Sequence, residues 1–275
     1  MSDLVSIITP AYNAANYIAD MIESVLAQTY TEWELLITDD CSTDNTVDIV
    51  RSYAAQDTRI KLFRLEANSG AGVARNNSIR EARGRYIAFC DSDDLWKPCK
   101  LERQIAFMSE KGYKFVYTKS DVIDTAGNVI AINERVPRVS YRSTMIVNYI
   151  GTTTVMYDTE GIGKFYMQNV RKRQDWLLWI DILRVTRYAY CLPERLSSWR
   201  SGNEGSLSSD KSSLFRYHLM IYRDYLGFPA PVAFLMCYGV SLPCFMVKKM
   251  RVAACGGELW RTAVAGCSSR GSWSR

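Results

Sequence analysis

Asp91, Asp93 and Asp94 stand together in the stretch Asp91-Ser92-Asp93-Asp94, directly behind an apolar run over residues 86–90. Carboxylates two positions apart at the end of a strand point the same way. Hard cations such as Mg²⁺ and Mn²⁺ take one or two such oxygen ligands and complete their shell with water and substrate phosphate. The spacing therefore predicts a divalent cation on Asp91 and Asp93 that clamps a diphosphate. Asp94 has a second use open to it, as the cap of a helix beginning near Lys97. A lone D-x-D occurs in many chains, so the triplet alone is weak evidence. Two further polar groups follow apolar runs in the same manner. Asp39 and Asp40 follow residues 35–38, and Pro10-Ala11-Tyr12-Asn13 follows residues 4–9, offering a rigid turn and an aromatic face on which a base can stack.

These groups need a frame that brings them to one edge. Short β-branched runs at 4–9, 35–38, 60–65 and 86–90 alternate with helical periods at 17–28, Thr46–Ala54 and 72–83. In the first helix Ile18, Met21, Ile22, Val25 and Leu26 share a face, and Asp44 can cap the second. Strands alternating with crossover helices predict an α/β fold with a mostly parallel central sheet, and in such sheets ligands bind beyond the carboxyl ends of the strands. The three acidic or aromatic clusters all fall at such ends. Beyond Gly151 the pattern is less regular, with a short strand expected at 152–156 and a helix at 175–185 carrying Trp176, Leu177, Trp179, Ile180 and Leu183.

Composition fits a globular chain: 275 residues, 48% hydrophobic and 23% charged. The eight cysteines include no C-x-x-C pair and His218 is the only histidine, which argues against a zinc enzyme and for reduced thiols. His218 lies outside every motif and reads as structural. The N-terminus lacks a basic, apolar leader, so a cytoplasmic catalytic part is expected. The formal charge of +5 is concentrated: from Gly227 onward six basic residues face the single acid Glu258, and the first 226 residues are neutral. Such a tail suits an anionic partner, lipid or nucleic acid, or is simply solvated. Residues 225–247 carry no charge but are interrupted by Pro229, Pro231 and Pro243. An interfacial or re-entrant helix pair fits this better than a clean span; packing on the catalytic domain is the other reading. The expected division is a catalytic domain over 1–226, with a nucleotide-binding half over 1–100 and an acceptor half over 101–226, followed by an apolar and basic extension over 227–275 that frays over 256–275.

The ensemble is more specific than any part. Val5-Ser-Ile-Ile-Thr-Pro-Ala-Tyr-Asn13, Trp33-Glu-Leu-Leu-Ile-Thr-Asp-Asp40 with Ser42-Thr-Asp44, Asn68-Ser-Gly-Ala-Gly-Val-Ala-Arg-Asn76 and Gly84-Arg-Tyr-Ile-Ala-Phe-Cys-Asp-Ser-Asp-Asp-Leu-Trp-Lys-Pro98 closely resemble the family 2 glycosyltransferases of the GT-A fold. The match is nearly continuous over the first hundred residues and thinner up to Arg200. The resemblance implies that Pro10, Ala11, Tyr12 and Asp40 hold the nucleotide base. It also implies that Asp91 and Ser92 meet the nucleotide-sugar, and that Asp93 is the principal ligand of Mn²⁺ or Mg²⁺. Arg75, Lys97 and Arg200 are candidate partners for phosphate charge, although each taken alone fits an ordinary surface or structural residue better.

Arg171-Lys-Arg-Gln-Asp175-Trp-Leu-Leu-Trp179 is similar to the family's acidic-pair motif, with Gln174 in the first position, so that only Asp175 can serve as general base. Its other reading is a helix N-cap. Relatives with these motifs imply an inverting transfer of glucose or galactose from a UDP-sugar to an undecaprenyl-diphosphate-linked sugar, in surface-polysaccharide or O-antigen synthesis. The enzyme would sit peripherally at the inner face of the cell membrane and bind no nucleic acid. A soluble or protein-bound glycan acceptor is the rival within the same chemistry. A nucleotidyltransferase or nucleotide-binding module of similar sheet architecture is the rival from another class.

Overall fold

The computed structural model describes residues 3–202 and 214–247. Its frame is one large sheet in which residues 60–64, 33–39, 5–11, 86–89, 156–158, 115–123, 188–200 and 95–96 lie side by side in that order, with 129–133 beside 115–123 and 138–140 beside 188–200. The N-terminal half forms as the hydrophobic pattern predicts: β1 (Val5–Ala11), α1 (Ile18–Leu26), β2 (Trp33–Asp39), α2 (Thr46–Ala54), β3 (Ile60–Arg64), α3 (Ala71–Glu81) and β4 (Tyr86–Phe89). Strands β1 to β4 pair in parallel, and every residue of β1, β2 and β4 is buried because helices cover both faces. On one face Val5, Ile7 and Leu35 pack with Ile18, Met21 and Val25 of α1 and Val50 of α2. On the other, Ile8, Leu36 and Phe89 pack with Ile79 of α3 and with Trp179 and Leu183 from the second half of the chain.

Pro10 lies within β1 although β1 is a central strand, a position where a missing donor is normally excluded. Pairing explains it. Pro10 and Ala11 pair with Thr38 and Asp39 of β2, whereas pairing with β4 stops at Ile8 and Phe89. The proline therefore sits where β1 has lost one of its two neighbours, and no ladder bond to β4 is forfeited. Asp44 stands one residue before the N-cap position of α2, which Asn45 occupies, but it still binds the first turn: its Oδ1 accepts the Thr46 N–H at 3.0 Å, while Oδ2 takes the Ala15 N–H at 3.0 Å and so ties α2 to the loop after β1.

The second half departs further from the sequence pattern. Next come β5 (Leu95–Trp96), α4 (Lys100–Lys111), β6 (Phe115–Ile123), β7 (Val129–Asn133), β8 (Arg138–Ser140), α5 (Tyr141–Ile146), β9 (Met156–Asp158), α6 (Gln174–Thr186) and β10 (Tyr188–Arg200). The strand expected over 152–156 is instead a tight helical turn at Thr152–Thr154, with β9 starting only at Met156. The β-branched threonines misled the pattern. The Thr154 hydroxyl donates to the Gly151 carbonyl at 2.6 Å and closes the turn, the local side-chain bond by which threonine competes with a strand. In β10, the register on β6 shifts on either side of Arg195, so the strand absorbs Pro193 in an irregular stretch and still carries Arg200 to the ligand edge of the sheet.

The C-terminal elements are α7 (Leu214–Met220), continued by a wider π-type stretch at Ile221–Tyr225, and α8 (Ala230–Val247). Pro229 and Pro231 fall at the start of α8, where a missing N–H costs nothing, and Pro243 follows a second π-type stretch at Leu235–Ser241. The 18 residues of α8 have a mean hydropathy of 1.8, and 17% of them are buried. Ala233, Cys237 and Ser241 face inward, where Ser241 Oγ donates to the Ile146 carbonyl at 2.6 Å, while Phe234 (58% exposed) and Leu235 (63%) face out. One side of the segment thus packs on the rest of the chain and the other is exposed, in one helix rather than the pair expected. The basic residues from Lys248 onward and the fraying expected over 256–275 lie outside the described residues.

Candidate active site

Where β1 and β4 part, their carboxyl ends and that of β2 frame a crevice. Tyr12, just past β1, is 50% exposed, with its ring available for stacking, and Pro10 and Ala11 beneath it are buried. Asn13 holds the turn in a left-handed conformation (φ 47°), its side chain accepting the Thr43 N–H at 2.9 Å. Asp40 is 3% exposed, and its two carboxylate oxygens accept the Ser69 N–H at 2.7 Å and the Gly70 N–H at 2.8 Å. It thereby fixes the loop into α3, and two of its four lone-pair positions remain for a ligand donor. Asp39 is fully buried, accepting the Ser42 N–H and pairing with Arg64, and is structural.

Asp91, Ser92 and Asp93 form a part-exposed turn after β4. Arg75, on α3, pairs with Asp91 at 2.5 Å. Arg200 is held structurally, the second of the two roles the sequence left open for it, and is not free to meet phosphate. It is 4% exposed, and its Nε donates to the Asp93 carbonyl at 3.0 Å, its Nη1 to the carbonyls of Asp124 and Thr125. Lys97 likewise pairs with Asp121 at 3.1 Å. Asp94 is not a helix cap, because α4 starts at Lys100 behind Cys99. It is 1% exposed and accepts the Arg200 N–H at 3.1 Å. Burial, with Asp93 and Asp91 close by, pushes its carboxyl well above the usual range.

No group of three or more metal-ligating side chains exists among the described residues. The Asp91–Asp93 turn offers hard carboxylate oxygens only, a donor set that fits Mg²⁺ or Mn²⁺ arriving with phosphate oxygens rather than a closed protein cage.

The same turn opens into a cavity of about 350 Å³, lined by Asp91 and Asp94 and by Asp175, Asn148, Trp176 and Trp199. Asp175 does not cap α6. Arg173 is the residue before the helix, with φ 67°, no side chain caps the end, and Asp175 lies within the first turn. Its Oδ2 accepts a hydrogen bond from Asn148 Nδ2 at 2.9 Å. Gln174 turns away: its amide donates to the Val170 carbonyl, and a Cβ on Gly72 would lie 2.8 Å from it, so α3 and α6 touch through a glycine.

Sequence reasoning missed Asn148, Arg135 and Trp199, which carry no spacing signal, and passed over Arg173 although it lies in the quoted motif. It also placed His218 outside the chemistry. His218 is 5% exposed and lies edge-on to Trp176 at 4.9 Å, yet it forms part of the cavity wall. Burial and the neighbouring Arg173 hold its pKa at about 4, so it is neutral at physiological pH.

The Glycosyl transferase family 2 profile matches residues 6–170. The chain belongs to this family. It is 42% identical over 222 residues, covering 80% of this chain and 88% of the relative, to TuaG of Bacillus subtilis strain 168, a glycosyltransferase named for teichuronic acid biosynthesis. It is 36% identical over 242 residues, covering 86% and 92%, to the Escherichia coli UDP-Glc:α-D-GlcNAc-diphosphoundecaprenol β-1,3-glucosyltransferase WfgD. Among solved structures it is similar in fold to S. aureus TarS in complex with UDP-GlcNAc (TM-score 0.67, 22% identity, 85% of this chain and 70% of that one). It is also similar to a Pyrobaculum calidifontis mannosyltransferase in complex with GDP-Man and Mn²⁺ (TM-score 0.60, 18% identity, 97% and 81%). The GT-A-like fold expected from the motifs is therefore the fold of the chain, and the nucleotidyltransferase alternative falls away.

The geometry around Asp94 yields a stability test. Asp94→Asn keeps an acceptor for the buried Arg200 N–H and should unfold in urea near the parent midpoint. Asp94→Ala strands that donor and should lose about 1–3 kcal/mol. An alanine variant as stable as the parent would show that this brace contributes nothing.

Proposed function

We propose that the chain is an inverting hexosyltransferase that moves glucose or galactose from a UDP-sugar to a sugar carried on undecaprenyl diphosphate, in the synthesis of a bacterial surface polysaccharide such as O-antigen. The observation that carries it is the single cavity that Asp91, from the donor end, and Asp175, from the acceptor end, both line. The names of the WfgD and TuaG relatives support the lipid-linked acceptor and the polysaccharide product.

In this reading the uracil ring stacks on Tyr12, and the unused lone pairs of Asp40 accept from its edge. Pro10 and Ala11 form the floor, and Ser92 and Arg75 flank the sugar-diphosphate. Asp93 and Asp91 would hold Mn²⁺ or Mg²⁺, which when bound neutralises charge on the departing diphosphate. Mn²⁺ accompanies the donor in the mannosyltransferase neighbour. Asp175 accepts the proton of the acceptor hydroxyl as its oxygen bonds to the anomeric carbon from the side opposite the nucleotide. The bond to UDP breaks, and the configuration inverts. Asn148 holds the Asp175 carboxylate in place for that transfer. The enzyme works on the cytoplasmic side of the membrane, with the exposed face of α8 and the basic segment behind it against anionic lipid. A soluble or protein-bound glycan as acceptor would need neither.

The parent protein should release UDP from UDP-glucose or UDP-galactose with Mn²⁺ and a synthetic GlcNAc-diphosphate-lipid. Asp93→Ala should abolish both this turnover and metal-dependent donor binding; full activity of that variant across a Mn²⁺ titration would remove Asp93 from the metal site.

Asp175→Asn is close to isosteric and leaves the donor pocket intact, so UDP-sugar affinity and melting temperature should hold while kcat falls by about 10²–10⁴. Turnover near the parent rate in a folded, donor-binding variant would exclude Asp175 as the base.

For the membrane contact, Phe234→Gln with Leu235→Gln alters only outward side chains and should weaken co-sedimentation with anionic liposomes several-fold without loss of folding. Sedimentation equal to the parent would leave α8 without a lipid-binding role.

A further inference from the structure

Two cations and a histidine in the cavity wall have no part in the transfer described above. Arg135, between β7 and β8, donates from Nη1 to the Tyr149 carbonyl at 2.9 Å, and its Nε is buried without a partner. Arg173 has a buried Nε without a partner, and its guanidinium lies 6.0 Å from the Trp176 ring and 5.9 Å from the Phe245 ring. His218 Nε2 is likewise buried and unpartnered. All three line the cavity shared with Asp175. The groups that act electrostatically on Arg135 are Cys191 and Tyr117, not a carboxylate. Asp175 acts on Arg173 only through space.

Holding these groups there is costly. Burial lowers the Arg135 pKa to about 10 and depresses that of Arg173. A desolvated cation with unspent donors destabilises a fold unless a ligand or water completes it. Arg173 also occupies the left-handed region at φ 67°, where glycine or asparagine would be cheaper by about 1 kcal/mol. Strain and unused donors on the same residue point to work for its side chain. A guanidinium presents its N–H groups as a fork that fits phosphate oxygens, and two of them beside a neutral imidazole suit an anion with two charged centres.

Position selects the source of that anion. Asp91 and Asp94 enter the cavity from behind β4, on the donor side. Arg173, His218, Ser241 and Phe245 line it from α6, α7 and α8, and α8 is the helix whose other side is exposed and apolar. An anion bound there adjoins both the base and a surface suited to a lipid chain. We propose that Arg135, Arg173 and His218 form a subsite for the diphosphate of an isoprenoid-linked acceptor sugar. This rests on the lipid-linked reading above. The two arginines neutralise the two phosphates, His218 donates one hydrogen bond, and the linked sugar is thereby held with its hydroxyl toward Asp175.

The test compares two acceptors on the full-length enzyme: GlcNAc joined through diphosphate to an alkyl chain, and octyl GlcNAc, which is neutral. In Arg173→Gln and in Arg135→Gln, the ratio of kcat/KM for the diphosphate acceptor to that for octyl GlcNAc should fall about tenfold or more. The change should appear in the acceptor KM, with the donor KM within about twofold of the parent, and Arg173→Lys should recover part of the ratio. Equal losses on both acceptors would overturn the proposal in favour of a structural role. A loss confined to the donor KM would assign the cations to UDP instead. Calorimetry with farnesyl diphosphate, which carries no sugar, separates the subsite from the transfer reaction. A parent enzyme that fails to glycosylate the diphosphate acceptor, yet binds farnesyl diphosphate in an Arg173-dependent manner, would overturn the acceptor reading and sustain the subsite. Transfer to the diphosphate acceptor with farnesyl diphosphate binding equal in parent and variants would do the reverse.

Discussion

Backbone pairing between β1 and β4 ends at Ile8 and Phe89, and the chain's capacity to hold a ligand follows from that ending. Had β1 and β4 stayed paired to Ala11, the ladder would have needed an N–H at residue 10, which proline cannot supply. Because they part, two strand ends open on one crevice at the point where the sheet order reverses, the place where open α/β sheets bind ligands. Tyr12 on one side and the Asp91–Asp93 turn on the other are direct continuations of those two strands. Asp40 closes the third side by tying the end of β2 to the N–H groups of Ser69 and Gly70.

A crevice made by unpaired strand ends needs stiffening from elsewhere, and Arg200 supplies it. It is the last residue of β10, and it fixes the Asp93 carbonyl, the Asp94 carboxylate and two carbonyls after β6 at once. An arginine used this way presents its fork to backbone oxygens, and its burial is compensated by several hydrogen bonds rather than by one opposing charge. The acidic turn can then keep Asp91 and Asp93 part-exposed while Asp94 is sealed beneath them. Acids adjacent in sequence are thus given different tasks by the direction each side chain takes.

The parts legible in the sequence were those whose signal is local. Strand-to-turn junctions at Pro10–Tyr12, Asp39–Asp40 and Asp91–Asp94 place their side chains by position along one element, so period and punctuation sufficed. The same logic failed at Thr152–Thr154, where β-branched residues argued for a strand and their hydroxyls closed a turn. Arg200 and Lys97 kept two readings, phosphate partner or structural residue, because a charge in sequence does not disclose what it faces; their partners lie on the turn after β4, on β6 and in the loop after β6. The cavity wall around Asp175 was the least legible. Arg135, Asn148, Arg173 and His218 come from separate segments with no shared spacing, and only tertiary packing, that of α6, α7 and α8 included, brings them to one cavity.

That packing gives α8 two duties that one amphipathic helix can hold together. Its inner side fastens to the catalytic domain through Ser241 and the Ile146 carbonyl, and with Phe245 it helps to wall the cavity. Its outer side exposes Phe234 and Leu235, side chains that a soluble surface would normally cover. Since both sides belong to one helix, any surface that receives the outer side also fixes the direction in which the cavity faces. An acceptor anchored in a bilayer moves in two dimensions, and a cavity held at a constant height and angle to that plane meets it without a search over orientation. Under the membrane contact proposed above, the burial of Ala233, Cys237 and Ser241 would do more than stabilise the C-terminal segment: it would convert that contact into alignment of Asp175 with an acceptor carried by the bilayer.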